Sequence, residues 1–150
     1  MRISLDTNVL VYAEGLNGPT KKAAALEFIQ RLPSNLVMVS TQVLGELFHV
    51  LARKSGKSAK EAKAAVLHWH DAFPVIPTST NALISAVDLA IDHRLGIWDS
   101  LILSVSAEAN CRLLLTEDLQ DGFTWRGVTV VNPFSSPPHP MLTALFPDRA

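Results

Sequence analysis

A chain of 150 residues, 48% hydrophobic and 18% charged, can bury a core without crosslinks and is too apolar to stay disordered. Its single cysteine, Cys111, excludes an internal disulfide framework and suits a reducing compartment. A net charge of −1 argues against indiscriminate polyanion binding, and the lack of any run of about 18 apolar residues argues against a membrane-spanning helix.

Arg2–Leu5 is short and alternating and ends at Asp6, which predicts a buried strand with an acid at its carboxyl end. That acid also interrupts the first apolar stretch before a secretory signal could form, so the chain is expected in the cytoplasm. Asn8–Ala13 can begin a short helix, broken by Gly15, Asn17, Gly18 and Pro19. Ala25, Phe28, Ile29 and Leu32 recur at helical spacing until Pro33, and Leu36–Val39 reads as a second strand. From Thr41 the helical period returns, with Leu44, Leu47, Phe48 and Leu51 as one apolar stripe and Gly56 as the stop. Ser58 and Glu61 make a capping box for a helix running to about Ala72, and Pro74–Pro77 is a short extended link. Leu83, Ala86, Val87, Ala90 and Ile91 form the apolar stripe of a further helix, stopped by Gly96. Leu101, Ile102, Val105 and Ala109 mark the next helix, with Asp99 in its first turn and Cys111 packed at its end. Arg112–Leu115 and Val128–Val131 complete the strands. Strands separated by helical patterns predict an α/β fold, a parallel sheet with helices on both faces. Residues 1–150 are read as one domain whose proline-rich tail (133–150, with Pro133, Pro137, Pro138, Pro140 and Pro147) wraps the surface, with one turn at Met141–Phe146.

In parallel α/β sheets, functional groups gather beyond the carboxyl ends of the strands. Asp6 follows the first strand directly and Asp118 follows the Arg112–Leu115 strand by three residues, so neighbouring strands would bring both to one rim. Glu46 lies beside an apolar stripe, with Val43, His49 and Val50 about one turn away, where an unpaired charge is costly. Either a distant arginine or a cation must balance it. Asp99 is favoured at a helix start by the macrodipole alone; in the company of the other acids it also reads as a metal ligand. Carboxylates gathered at one rim raise one another's pKa. A hard divalent cation relieves the conflict, and oxygen donors select Mg²⁺ or Mn²⁺ over zinc. His68 and His70, two apart on a helix, splay too far to make a zinc pair.

Arg53, Lys54, Lys57, Lys60 and Lys63 place five of the 13 basic residues in eleven positions, opposed only by Glu61. The stretch is either a solvated helix face or a phosphate-attracting flank. Trp98, next to Asp99, reads first as a core anchor and second as a platform for a base. Asp121 reads as a polar loop acid, and Asp88 and Asp92 as solvated.

Four segments resemble, in order, the acidic motifs of the PIN-domain nucleases, and among these the VapC toxins of bacterial toxin–antitoxin pairs. They are SLDTNVLVYA (Ser4–Ala13), TQVLGEL (Thr41–Leu47), IWDSLILSVSAE (Ile97–Glu108) and LLLTEDLQDG (Leu113–Gly122). The resemblance spans residues 1–132 and leaves only the tail outside. It implies a three-layer sandwich around a parallel sheet of four to five strands. It implies that Asp6, Glu46, Asp99 and Asp118 are metal-binding catalytic acids, with Thr7 and Thr116 as hydroxyls that orient them. It implies an endoribonuclease that uses Mg²⁺ or Mn²⁺ to hydrolyse RNA and leave a 5′-phosphate, with Arg53–Lys63 available for backbone contacts. A small antitoxin that reaches into the acidic site with a basic side chain, and a homodimer, follow from the same likeness.

A housekeeping RNA-processing nuclease of the same type is the alternative. An aspartyl-nucleophile phosphatase would need a second aspartate two positions after Asp6, where Asn8 stands. A phospho-accepting signalling domain would need a lysine near the end of a late strand, which Thr116, Glu117 and Asp118 do not supply.

Overall fold

The structure, a computed structural model, describes residues 1–146; the end of the tail, Pro147 included, lies outside them. Its strands are β1 (Arg2–Leu5), β2 (Val37–Ser40), β3 (Val75–Ile76), β4 (Cys111–Leu115), β5 (Thr124–Trp125) and β6 (Val128–Val131). Its helices are α1 (Thr7–Ala13), α2 (Pro19–Arg31), α3 (Thr41–Lys54), α4 (Ala59–Ala72), α5 (Thr80–His93), α6 (Ile97–Glu108) and α7 (Pro140–Ala144). The strands form one sheet in the order β3-β2-β1-β4-β6-β5. Five of them run parallel, as expected for an α/β chain, and β5 adds an antiparallel edge to β6.

That edge is a hairpin turned by Arg126 and Gly127, both at positive φ (46° and 84°), the backbone that matches the twist of a two-residue loop. The Pro74–Pro77 link contains β3, which pairs with β2 over two residues only. Leu36 belongs to a 3₁₀ turn, its N–H donating to the Pro33 carbonyl at 2.9 Å, so β2 begins one residue later than expected.

Steps from β1 to β2 to β3 run one way across the sheet, and the step to β4 crosses back past β1. With right-handed crossovers this places α1–α4 on one face and α5 and α6 on the other, the three layers of the fold. Covered on both faces, the central strands bury apolar side chains, among them Ile3, Leu5, Val37, Val39, Leu113, Leu115 and Val130; Ser4, also buried, is satisfied by Ser106 Oγ at 2.7 Å.

The outer helix departs from expectation. α5 meets α6 through Ala82 and Ala86, which cluster with Leu101 and Val105, and Ser104 Oγ donates to the Ala82 carbonyl at 2.7 Å. Small side chains allow the closest approach of two helix axes, so the alanine side faces inward. Leu83, Val87 and Ile91, expected in the buried stripe, are instead exposed, as is Ile84. Phe48 leaves the stripe of α3 in the same way. Gly96 does not stop α5, which ends at Arg94 in the left-handed conformation (φ 55°); Gly96 is the N-cap of α6. Cys111 opens β4 rather than ending a helix, and is buried there. The tail lies on α1 and α2: Phe134 meets Tyr12 edge-on at 5.3 Å, and Phe146 meets Phe28 at 6.1 Å.

Candidate active site

The direction of the strand order reverses between β1 and β4, where a crevice opens at the carboxyl ends. Leu5 pairs with Leu115, so the residues that follow, Asp6 and Thr116, leave the sheet side by side. The Asp6 N–H donates to the Leu115 carbonyl at 3.0 Å and the Thr116 N–H to the Val131 carbonyl at 3.1 Å. Asp6 then caps α1. Its Oδ1 accepts from the Thr7 amide at 2.7 Å and its Oδ2 from Thr116 Oγ1 at 2.8 Å, with the residue 4% exposed.

The other acids arrive from three more elements. α3 starts directly after β2, capped by Ser40, which carries Glu46 over the same rim. Thr7 Oγ1 donates to Glu46 Oε2 at 2.6 Å, and Gln42 Nε2 donates to Glu46 Oε1 at 2.7 Å. The same Gln42 nitrogen reaches the Trp98 carbonyl at 3.2 Å, tying α3 to the start of α6, where Asp99 stands. On the opposite side Asn8 Nδ2 donates to Thr116 Oγ1 at 2.8 Å and to Asp118 Oδ2 at 3.0 Å. The Asp118 amide also donates to Thr116 Oγ1 at 3.1 Å. Thr116 is thus a junction, giving its proton to Asp6 and accepting from the residues that hold Asp118.

The acids feel one another. Burial pushes the Asp6 carboxyl up to about 6 against the opposing bonds from Thr116 and Thr7, and the charges of Asp118 and Glu46 add to the rise. Burial also raises Asp99, again with Asp118 and Glu46 contributing. Among the described residues no arginine balances Glu46, whose hydrogen-bond partners are Thr7 and Gln42. Among the described residues the salt bridges are Lys21–Glu117 and His70–Asp71, neither of which involves these acids.

The residues fit a hard divalent cation. Their donors are all oxygen, the set that Mg²⁺ and Mn²⁺ take. Three buried side-chain polar atoms lack a partner among the described residues: Asn8 Oδ1, Gln42 Oε1 and Ser100 Oγ. Each belongs to a residue that contacts or adjoins one of the acids, so unsatisfied hydrogen-bonding capacity and uncompensated charge coincide. The carboxylates lie close enough to act on one another's charge without meeting at one point. No three His, Cys, Asp or Glu side chains of the described residues form a closed ligand cluster.

A cleft of about 590 Å³ leads away from the acids between α1 and α3, with Val11, Leu16 and Val50 in its wall and His49 and Lys54 beside Glu46 and Asp118. A second hollow of about 460 Å³ shares Leu16, Asn17 and Lys54 and adds Lys57. Of the five basic residues singled out, Lys54 and Lys57 line this path, whereas Arg53, Lys60 and Lys63 do not. Trp98 is no core anchor; it is 63% exposed beside Asp99. Asp121 is held away from the acids by the Asn132 amide, which donates to it at 2.8 Å. Sequence reasoning missed Asn8 and Gln42. Gln42 stands one helical turn before Glu46, a spacing that could have identified it; Asn8 carries no such signal.

A family model described as PIN domain matches residues 3–121. No curated protein sequence matches the chain. Solved structures do. A toxin–antitoxin complex from Klebsiella pneumoniae is 22% identical, covering 88% of this chain and 98% of that one with a TM-score of 0.66. VapBC2 from Rickettsia felis, bound to a DNA fragment from its promoter, is 20% identical over 87% and 97% with a TM-score of 0.64. VapC20 of Mycobacterium tuberculosis, described as a toxin that cleaves the sarcin-ricin loop, is 19% identical over 75% and 86% with a TM-score of 0.64. At these identities the likeness is one of fold.

Proposed function

The chain belongs to the PIN domain family, and from that premise we propose that it is a metal-dependent endoribonuclease, the toxin of a toxin–antitoxin pair acting in the cytoplasm. One observation carries the reading: a carboxylate 4% exposed, Asp6, held by the neutral donors Thr7 and Thr116, raised by the charges of Asp118 and Glu46, and in no salt bridge among the described residues. Such a group persists when a ligand of opposite charge completes it.

In this reading Asp6, Glu46, Asp99 and Asp118 hold Mg²⁺ or Mn²⁺. The ion supplies Lewis acidity toward a phosphodiester and lowers the cost of ionising water. Thr116, Thr7 and Gln42 orient the Asp6 and Glu46 carboxylates by one bond to each oxygen, and every oxygen keeps a second lone pair for a cation. The RNA lies along α3, from Gln42 past Glu46 to Lys54, a path of about 18 Å at helical rise. Trp98 offers a face for a base at one end, and Lys54 and Lys57 attract phosphates at the other.

The similar Klebsiella pneumoniae structure is named as a toxin–antitoxin complex, and the cleft suits an antitoxin segment that sets apolar side chains on Val11, Leu16 and Val50 and a basic one toward the acids. The exposed face of α5 supplies a surface for the homodimer implied by the resemblance. Among the described residues no helix is long and apolar enough to cross a membrane.

The test is cleavage of total cellular RNA by purified protein with MnCl₂, followed by mapping of the new ends. Cleavage that stops on chelation and leaves 5′-phosphates is the expected outcome. Cleavage that persists in chelator overturns the metal-dependent reading.

A further inference from the structure

Thr116, Glu117 and Asp118 follow β4 in a segment with no helix or strand ladder of its own, so side chains must hold Asp118 where Asn8 meets it. Thr116 and Asp118 join the acids. Glu117 reaches instead to α1 and α2. Tyr12 Oη donates to its Oε1, and Lys21 Nζ donates to its Oε2 at 2.8 Å. The Lys21 ammonium in turn lies 4.9 Å from the centre of the Tyr12 ring and 4.4 Å from that of Phe134. Phe134, from the tail, meets Tyr12 edge-on. One carboxylate, one ammonium and two rings, from four separate stretches of chain, close on one another.

We propose that Lys21, Tyr12 and Phe134 clamp Glu117 so that Asp118 stays at the rim of the cation site, which makes Glu117 and Lys21 positioning residues and gives the proline-rich tail a part in metal affinity. The proposal rests on the cation-site reading given above. Asp118 itself is exposed and is bound through Asn8 and Thr116 on one side only; the clamp restrains the residue before it on the other. A fifth carboxylate beside four others would deepen their repulsion, and Lys21 cancels that charge where it stands. With side chains 36% and 23% exposed, the Lys21–Glu117 pair adds little to fold stability as a surface ion pair. Fixing a loop that carries a ligand is a task that a weak pair can still perform, because partners outside the ligand shell shift metal affinity by about 10–100-fold.

The test is calorimetric titration of the full chain with MnCl₂ in the absence of RNA. Lys21→Met, which keeps the apolar stem over the two rings, and Glu117→Gln, which keeps the tyrosine bond, should each weaken Mn²⁺ binding about tenfold. Phe134→Leu should weaken it less, and Lys21→Arg should stay near wild type. Melting midpoints without Mn²⁺ should move by no more than about 2–3 °C. Equal Mn²⁺ affinity in wild type and Lys21→Met overturns the clamp, as does a loss in Lys21→Arg as large as that in Lys21→Met. A wild-type chain that takes up no Mn²⁺ overturns the site reading beneath it. Should Lys21→Met fail to fold, Glu117→Gln decides by the same criterion.

Discussion

At the carboxyl ends of β1 and β4 the chain buries charge, whereas along the outer side of α5 it exposes hydrocarbon. Asp6 is 4% exposed among other acids, while Ile84 and Ile91 are 60% and 72% exposed on a helix whose alanines point inward. Both regions are unfavourable in the isolated chain, for opposite reasons. The first is electrostatic, so it responds to pH and to a small cation. The second is hydrophobic, indifferent to pH, and relieved only by a complementary apolar surface. The difference identifies what each region accepts, and it predicts that damage to one should leave the other intact.

The largest expected effect lies at the acids. Asp6→Asn or Asp99→Asn should lower RNA cleavage by more than about 100-fold, beyond the usual cost of changing an outer partner, while circular dichroism reports an intact fold. A second readout separates function from structure. Removing a desolvated charge should make metal-free Asp6→Asn more stable than wild type above pH 6, by about 1–3 kcal/mol, since Asn gives up part of the bonding from Thr7 and Thr116. A destabilised Asp6→Asn would instead assign the aspartate to the fold.

The pH dependence sharpens the same contrast. The Asp6 carboxyl titrates at about 6 in the fold against an ordinary value of 3.8, so between those values the folded chain binds the proton that the unfolded chain has released. Its contribution to metal-free stability is therefore greatest below about pH 4 and falls as pH rises through 6. A cation competes for the same carboxylate. The rise in melting temperature produced by Mn²⁺ should accordingly grow as pH climbs from 5 to 7 and be smaller at every pH in Asp6→Asn. A flat response would remove Asp6 from the cation site.

What the sequence disclosed follows from which signals are local. The acids were legible because each follows a strand or sits on a helix whose period is unambiguous: Asp6 after Arg2–Leu5, Glu46 beside Leu44 and Leu47. The inner side of α5 was not, because Leu83, Val87 and Ile91 have a helical period as good as that of Ala82, Ala86 and Leu89. Close contact with α6, a tertiary matter, chose the smaller set. Trp98 misled for a related reason: large aromatic side chains usually pack, and nothing local shows that the start of α6 lies at an opening. β5 was hidden because Arg126 takes the positive φ that Asn or Asp ordinarily supplies in such a turn. The ring of Tyr12, Lys21, Glu117 and Phe134 joins positions more than 90 residues apart in its ion pair, with no periodicity to announce it.

The middle-sized effect belongs to α5. Val87→Glu with Ile91→Glu should abolish self-association in light scattering and leave Mn²⁺ binding and cleavage rate within about twofold, the two positions being exposed on a helix that carries none of the four acids. Loss of Mn²⁺ binding in this variant would show that the two regions are coupled after all.

The smallest effect tests how far the acidic region extends. If substrate follows α3, only the basic residues on that path touch phosphate. Lys54→Ala and Lys57→Ala should then each raise KM a few-fold at unchanged kcat and reduce the dependence of log affinity on log salt by about one. Lys60→Ala and Lys63→Ala, on α4 and off the path, should change neither. An equal response from all four would mean that the basic stretch acts as a diffuse field rather than as part of the cleft. That outcome would leave the acids where they are but detach α3 from the substrate, because a diffuse field has no reason to end at Lys54.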